Sequence, residues 1–380
     1  MLISGIEALF ARDWAGLVLA GVVALAGLLF LSPAPTVGWI LLLLAVLLAV
    51  AAVRYLLERA GALRANPAPG RLVDIGGTRI HLLAEGPAAG PAIVWLGGAH
   101  SGGHVMHHLH RRLSPMVRSI LIDRPGTGWS DIGPFPRTTV GECRELVAAL
   151  DAAGEAGPFI WAGHSYGGLL AANIARRHPD RTHSVALLDA TPPDTILRAP
   201  KIAGLKAMAR QMRLVAVARM FGLSHDPQQK EIAASPAYSK VIQHIEAELG
   251  AAGKAGRAIE SNPGYYMAGA SILTELDRHR LLDLAWDIAP YHGDLDGIPV
   301  HVIGPGATEA DLGDLPEFRA NPEQARMARV MQATRESWML VSNRAERHIA
   351  PPGTGHNFIY EAADWTADTV RAIALGKSPP

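Results

Sequence analysis

Gly163-His164-Ser165-Tyr166-Gly167-Gly168 is the segment of this sequence whose residue types and spacing most directly suggest chemistry. A β-like apolar run, Phe159–Ala162, precedes it and a helical run, Leu169–His178, follows. A serine on a sharp strand-to-helix turn needs small neighbours two positions away, because side chains there would strike the adjoining backbone. Such a turn lifts the Ser165 hydroxyl clear of the chain and puts a helix N-terminus under any negative oxygen that forms beside it. A nucleophilic serine needs a base. His356 sits in Gly353-Thr354-Gly355-His356, after the last expected strand and before the final helical run, Ala362–Leu375. The base needs an acid to orient it. Asp189 leaves the end of the run Ser184–Leu188 directly, whereas Glu309 or Asp311 would have to reach across a longer loop after Val300–Ile303. Backbone donors for an oxyanion are expected at Ala99, in the loop Gly97-Gly98-Ala99-His100-Ser101-Gly102-Gly103, and at Tyr166, the residue after the serine.

The elements that must position these groups follow from periodicity. Arg71–Ile75 and Arg79–Leu83 flank Gly76-Gly77 and read as a β-hairpin. Ala92–Leu96, Ser119–Asp123, Phe159–Ala162, Ser184–Leu188, Val300–Ile303 and Arg347–Ala350 read as further strands, with Thr138–Ala152 helical between two of them. Apolar strands alternating with helices imply an α/β protein with a mainly parallel sheet covered on both faces. Residues 195–295 break the rhythm and read as a helical cap inserted between two strands, leaving 71–194 and 296–376 as the core. Within the insertion, Ile202–Phe221 sets Lys206, Arg210, Arg213 and Arg219 among apolar residues, as a solvated basic face would or as a helix touching a membrane surface would.

Hydrophobic residues make up 49% of the 380 and charged ones 18%, and the apolar excess is local: residues 14–53 contain no Asp, Glu, Lys or Arg. Residues 1–56 read as a transmembrane hairpin with two spans, at about 14–31 and 37–53, joined by Ser32-Pro33-Ala34-Pro35-Thr36. Residues 57–70, ending in Asn-Pro-Ala-Pro-Gly, read as a linker. Arg12 on one side and Arg54, Arg59 and Arg64 on the other place both ends of the hairpin, and the catalytic domain, on the cytoplasmic side, with the lipid bilayer as a partner. Formal net charge is zero, with 35 basic and 35 acidic residues, so no nucleic-acid partner is expected. Cys143 is the single cysteine and excludes an internal disulfide. His104 and His108 have i,i+4 spacing in a histidine-rich stretch, but no carboxylate or thiol lies among them, so they read as pocket-mouth or surface residues and no metal is expected.

Taken together these motifs resemble the α/β-hydrolase superfamily, in particular bacterial esterase- and lipase-like members with an N-terminal membrane segment. Gly76-Gly77 with Arg79-Ile80-His81, loop 97–103, Asp123-Arg124-Pro125-Gly126-Thr127-Gly128-Trp129-Ser130, the turn 163–168, Leu188-Asp189-Ala190 and Gly355-His356 carry the resemblance over about residues 70–375. The chain has Gly97-Gly98 where many relatives have His-Gly, at a position whose role is played by the backbone. The resemblance implies an eight-stranded, mostly parallel sheet with a cap, no cofactor, and hydrolysis of a small-molecule carboxylic ester through an acyl-enzyme on Ser165; the membrane segment and the Met- and Leu-rich insertion make a lipophilic ester the expected one. Asp123 is expected to brace its loop, not to react. Amide or peptide cleavage by the same residues, and a non-catalytic binding protein of the same fold, are the alternatives.

Overall fold

A computed structural model of the chain describes residues 2–99, 101–192, 194–195, 203–223, 236–282, 285–307, 329–330 and 333–380. Its centre is an eight-stranded sheet: β1 (Arg71–Asp74), β2 (Arg79–Glu85), β3 (Ala92–Leu96), β4 (Ser119–Ile122), β5 (Phe159–His164), β6 (Thr182–Leu188), β7 (Val300–Gly304) and β8 (Ala345–Ile349), in spatial order β1-β2-β4-β3-β5-β6-β7-β8. β1 and β2 run antiparallel to each other, β2 runs antiparallel to β4, and every other pairing is parallel. The first hairpin turns at Gly76 and Gly77, whose φ of +100° and +94° suit glycine. Asp74 Oδ1 accepts both of their N–H groups, at 2.9 and 2.7 Å.

The central parallel strands β3, β4 and β5 are buried on both faces, which is why they read as apolar runs, whereas β8 at the edge is largely exposed. Alternate residues feed two cores. Val94, Leu96, Trp161, Val185 and Leu187 face α5 (Thr139–Ala152) and α6 (Tyr166–Arg177). Ile93, Trp95, Ile160, Ala186 and Leu188 face α4 (His107–Leu113) and the C-terminal α10 (Ala363–Ala374). Among the described residues between β6 and β7 stand α7 (Ala203–Arg219), α8 (Pro236–Glu260, kinked at Gly250) and α9 (Pro263–Leu282), where the sequence suggests a helical insertion.

The N-terminal region differs from the expected hairpin and linker. It forms α1 (Leu2–Phe10), α2 (Ala15–Phe30) and α3 (Pro35–Ala65). Among the described residues only α3, with 31 residues, is long and apolar enough to cross a membrane; α2 has 16 residues. At 1.5 Å per residue α2 covers roughly 24 Å, short of a hydrocarbon core of about 30 Å, so two full spans are not supported. The stretch read as a linker is helical to Ala65, since Leu, Glu, Arg and Ala there favour helix. Asn66 ends it, its Nδ2 donating to the Ala62 carbonyl at 2.9 Å, and Pro67 and Pro69 follow.

α2 packs along α3 through small residues: a Cβ on Gly38 would lie 2.9 Å from the Gly27 carbonyl oxygen. The same helices grip the inserted α7. Ala15 and Ala52 pack on Met220 and Phe221, and Glu7 Oε1 accepts from Arg213 at 2.6 and 2.9 Å. Arg213 and Arg219, expected on a solvated or membrane-facing surface, are thus turned inward, Arg219 lying over the Tyr55 ring and donating to Ser261 O.

Candidate active site

Ser165 sits at the C-terminal end of β5 and is the residue before α6, with φ 54° and ψ −121°, a conformation rare outside glycine. The glycines around it are what admit the turn. A Cβ on Gly163 would lie 2.2 Å from the Gly167 carbonyl oxygen, one on Gly167 2.3 Å from Leu96 O, and one on Gly168 2.3 Å from the Ala190 Cβ. The first turn of α6 therefore sits against the ends of β3 and β5 and the residues after β6 more closely than side chains would permit. Gly98 lies against the serine, a Cβ there falling 3.6 Å from Ser165 Cβ.

Asp189 follows β6 directly. It is buried, has φ 40°, and its own N–H donates to Ile303 O at 2.8 Å. His356 Nδ1 donates to Asp189 Oδ2 at 2.7 Å. The other carboxylate oxygen accepts from Arg335, at 2.9 Å from Nε and 2.7 Å from Nη2. Burial alone would push the Asp189 carboxyl up. The hydrogen bond and charge of His356, then the Arg335 guanidinium, outweigh it and hold the carboxyl below its ordinary range. His164 packs beside His356 with ring centroids 4.6 Å apart, and its Nε2 donates to the His356 carbonyl at 2.9 Å. Burial pushes the His164 ring down to about 3, so it stays neutral.

Ala99, Ser165 and Tyr166 line one cavity of about 190 Å³, closed on its far sides by Leu169 and by Leu205, Ile272 and Leu273 from α7 and α9. One wall is polar: Arg124 and Glu142 line the same space. Arg124 Nη2 donates to Gly98 O at 2.6 Å and Ser101 O at 3.0 Å, while Tyr166 Oη donates to Glu142 Oε2 at 3.1 Å. Asp123 braces its loop, accepting from Gly103 N at 2.6 Å, Trp129 N at 2.9 Å and His81 Nδ1 at 2.8 Å.

The structure thus brings Ser165, Tyr166 and Ala99 to one cavity and His356 to Asp189. Glu309 and Asp311 lie outside the described residues. His104 and His108 are buried in place of rimming the pocket: His104 faces Trp129, and His108 Nε2 donates to Ile359 O at 2.7 Å while stacking on Tyr360. Among the described residues one group could hold a metal: His301, Glu346 and His348, with ligand atoms within 4.8 Å of one another on β7 and β8. Their ring nitrogens already pair at 3.1 Å. Arg335 and Glu142 were not singled out by sequence. Arg335 lies in a stretch without periodicity, and Glu142 looks like an ordinary first-turn helix acid.

Comparison with known proteins agrees with the fold. The family model described as alpha/beta hydrolase fold matches residues 91–218. The chain is 29% identical over 112 residues to "Lipase LipV" of Mycobacterium tuberculosis, covering 29% of this chain and 41% of that protein. It is 33% identical over 122 residues to "2-(acetamidomethylene)succinate hydrolase" of Mesorhizobium japonicum, covering 32% and 43%. It is 38% identical over 103 residues to "Pimeloyl-[acyl-carrier protein] methyl ester esterase" of Xanthomonas campestris, covering 27% and 38%. Each match spans less than half of the relative's length. Among solved structures, a thermophilic esterase from Thermogutta terrifontis aligns with TM-score 0.53 at 16% identity, over 80% of this chain and 97% of that one. A "Putative Acyltransferase" from Salmonella enterica aligns with TM-score 0.56 at 18% identity, over 82% and 97%. At these identities the structures speak to fold alone. By its strand order and by the family match over residues 91–218, the chain carries the alpha/beta hydrolase fold.

Proposed function

We propose that the protein is a serine hydrolase that cleaves a carboxylic ester through an acyl-enzyme intermediate. The observation that carries this reading is the chain of contacts Arg335–Asp189–His356 at the sheet edge where Ser165 stands on its elbow. His356 takes the hydroxyl proton as Ser165 Oγ attacks the ester carbonyl carbon. Asp189 fixes the ring tautomer and stabilises the imidazolium that forms. The N–H groups of Ala99 and Tyr166 hold the tetrahedral oxyanion. His356 then gives its proton to the leaving alcohol, and water repeats the cycle on the acyl-serine. Residues 195–295 act as the cap, since α7 and α9 supply the apolar wall over the serine.

The cavity bears on the substrate. An apolar cavity of about 150 Å³ accommodates a benzene-sized group. One of about 190 Å³ therefore favours an ester whose buried part is lipophilic and compact, and disfavours a long acyl chain enclosed whole. The esterase and lipase names among the relatives support the bond class. We also infer that α3 anchors the protein in a bilayer, with α2 lying along it and the catalytic region on the cytoplasmic side, where Arg54, Arg59 and Arg64 lie. Its outward face is apolar, with Trp39, Leu43 and Val50 each more than 60% exposed.

The test is fluorophosphonate labelling of the full chain in detergent or bilayer, followed by turnover of p-nitrophenyl esters of rising chain length. Labelling and turnover that vanish in Ser165→Ala, with a maximum at short to medium acyl groups, are expected. A folded wild type that neither labels nor turns over any ester ends the hydrolase reading in favour of a binding protein.

A further inference from the structure

The loop that supplies Ala99 is held by the core and by the insertion. From the core, Asp123 accepts the Gly103 N–H and Arg124 donates to the carbonyls of Gly98 and Ser101. From the insertion comes Glu260, the last residue of α8. It is buried, and its Oε1 accepts both the Gly102 N–H at 2.8 Å and the Gly128 N–H at 2.9 Å. Its Oε2 lies 3.5 Å from His104 Nε2. Helix α8 reaches this depth because residue 256 is glycine: a Cβ there would lie 2.3 Å from His104 Cγ. The junction around Glu260 is itself gripped. Arg59 of α3 donates to the Ile259 carbonyl at 2.5 Å, and Arg219 of α7 donates to the Ser261 carbonyl at 3.1 Å.

A buried carboxylate is costly to bury unless its lone pairs are used. This one spends an oxygen on two amides from two different loops, the one that follows β3 and the one that follows β4. Those amides have no helix or strand of their own to satisfy them, so the carboxylate fixes where the two loops stand relative to each other. Resting on the hydrolase reading, we propose that Glu260 is a positioning residue: it latches the seated cap to the oxyanion loop and so sets the place of the Ala99 N–H. The cap and the N-terminal helix α3 thereby reach the reacting atoms through one side chain, without any of them touching substrate. The role requires reach more than charge, since Oε1 alone makes both amide contacts.

The variants that separate these are Glu260→Gln, which keeps the acceptor at the same reach, and Glu260→Asp, which keeps the charge one methylene short. Each is read on the full chain by fluorophosphonate labelling and by kcat and KM for a short p-nitrophenyl ester, normalised to titrated active sites. Because a displacement of about 1 Å costs roughly 10²-fold in rate, Glu260→Asp is expected to lose on the order of 10–100-fold in kcat with little change in KM. Its labelling slows in parallel, and Glu260→Gln stays within a few-fold of wild type. Equal kcat per titrated site in wild type and Glu260→Asp overturns the proposal, whatever the melting temperature does, because a packing role alone lowers stability and not turnover. Loss in both variants alike also overturns it, assigning the effect to charge. A wild type without labelling removes the hydrolase reading itself and this proposal with it, whereas a labelled wild type beside a fully active Glu260→Asp removes the proposal alone.

Discussion

At the scale of single residues, the Asp189 carboxylate divides its two oxygens between two partners of different duty. Oδ2 orients His356 and Oδ1 meets Arg335. Asp189→Asn keeps the shape but offers an amide where the imidazole needs an acceptor, so kcat is expected to fall by about 10⁴, as when a triad acid is made neutral. Arg335→Met removes a partner and leaves a buried carboxylate oxygen unpaired, for a stability loss of about 1–3 kcal/mol with a much smaller fall in kcat. Urea unfolding and titrated turnover on the two variants check both. Equal turnover losses would mean that Arg335 acts in the reaction and not beneath it. Ser165 and His356 could be proposed from sequence because each stands in a local pattern: glycines around a strand-to-helix turn, and Gly-His after a strand. Asp189 could be proposed from its strand end, but its pairing with His356 joins residues far apart in the chain and needed the fold. Arg335 left no local trace, because a side chain that acts across the sheet edge imposes no rule on its neighbours.

At the scale of elements, the sheet was the most legible part. The runs read as strands fell on the eight strands, because central parallel strands such as β3, β4 and β5, buried on both faces, must be apolar throughout, while the edge strands β1 and β8 are largely exposed. The N-terminal region was less so. Composition marks apolar helix but cannot tell where it stops or what it leans on, and the supposed linker proved to be the last turns of α3. Those turns make the region more than a tether. Arg59 donates to Ile259 O, Glu7 pairs with Arg213, and Ala15 and Ala52 cover Met220 and Phe221. A chain starting at residue 67 would expose that apolar patch and remove the Glu7 partner of Arg213 and the Arg59 donor to Ile259 O. It is expected to melt several degrees lower than the full chain in the same detergent, since about 1 kcal/mol shifts a domain of this size by roughly 2–4 °C. The shortened chain should also lose turnover through the junction at Glu260. Thermal melts of the two chains decide it: equal melting temperatures would reduce the N-terminal helices to an anchor with no part in cap seating.

For the whole molecule, pH response follows from how many titratable groups the fold buries, and of which sign. Several histidines are held neutral by burial: His164 is pushed down to about 3, and His108 and His301 to about 4. In the unfolded chain each takes a proton near pH 6.5, while in the folded chain it does not until pH falls to those lower values. Between the two the unfolded state binds more protons, so stability rises with pH there. The contribution is complete above about pH 6.5 and shrinks steadily on the way down to about 4. Asp189 and Asp123, both held below the ordinary carboxylate range, add a second loss of the same sign only below about pH 4. Glu260 and Glu275, pushed up by burial, act in the opposite direction from about pH 4.5 upward and soften the first step without reversing it. The melting temperature of the full chain is therefore expected to hold between pH 8 and 7, to decline from about 6.5, and to drop more steeply below 4. His108 is the residue on which to check the first step, because its Nε2 donates to Ile359 O, a bond that a glutamine amide can also make. His108→Gln should flatten the decline between pH 6.5 and 4.5 while leaving Ser165 labelling at pH 8 unchanged. A wild-type melting temperature that stays level from pH 8 to 5 would show that the buried rings gain protons without opposing the fold, and the neutral histidine layer would lose its place in the stability of the molecule.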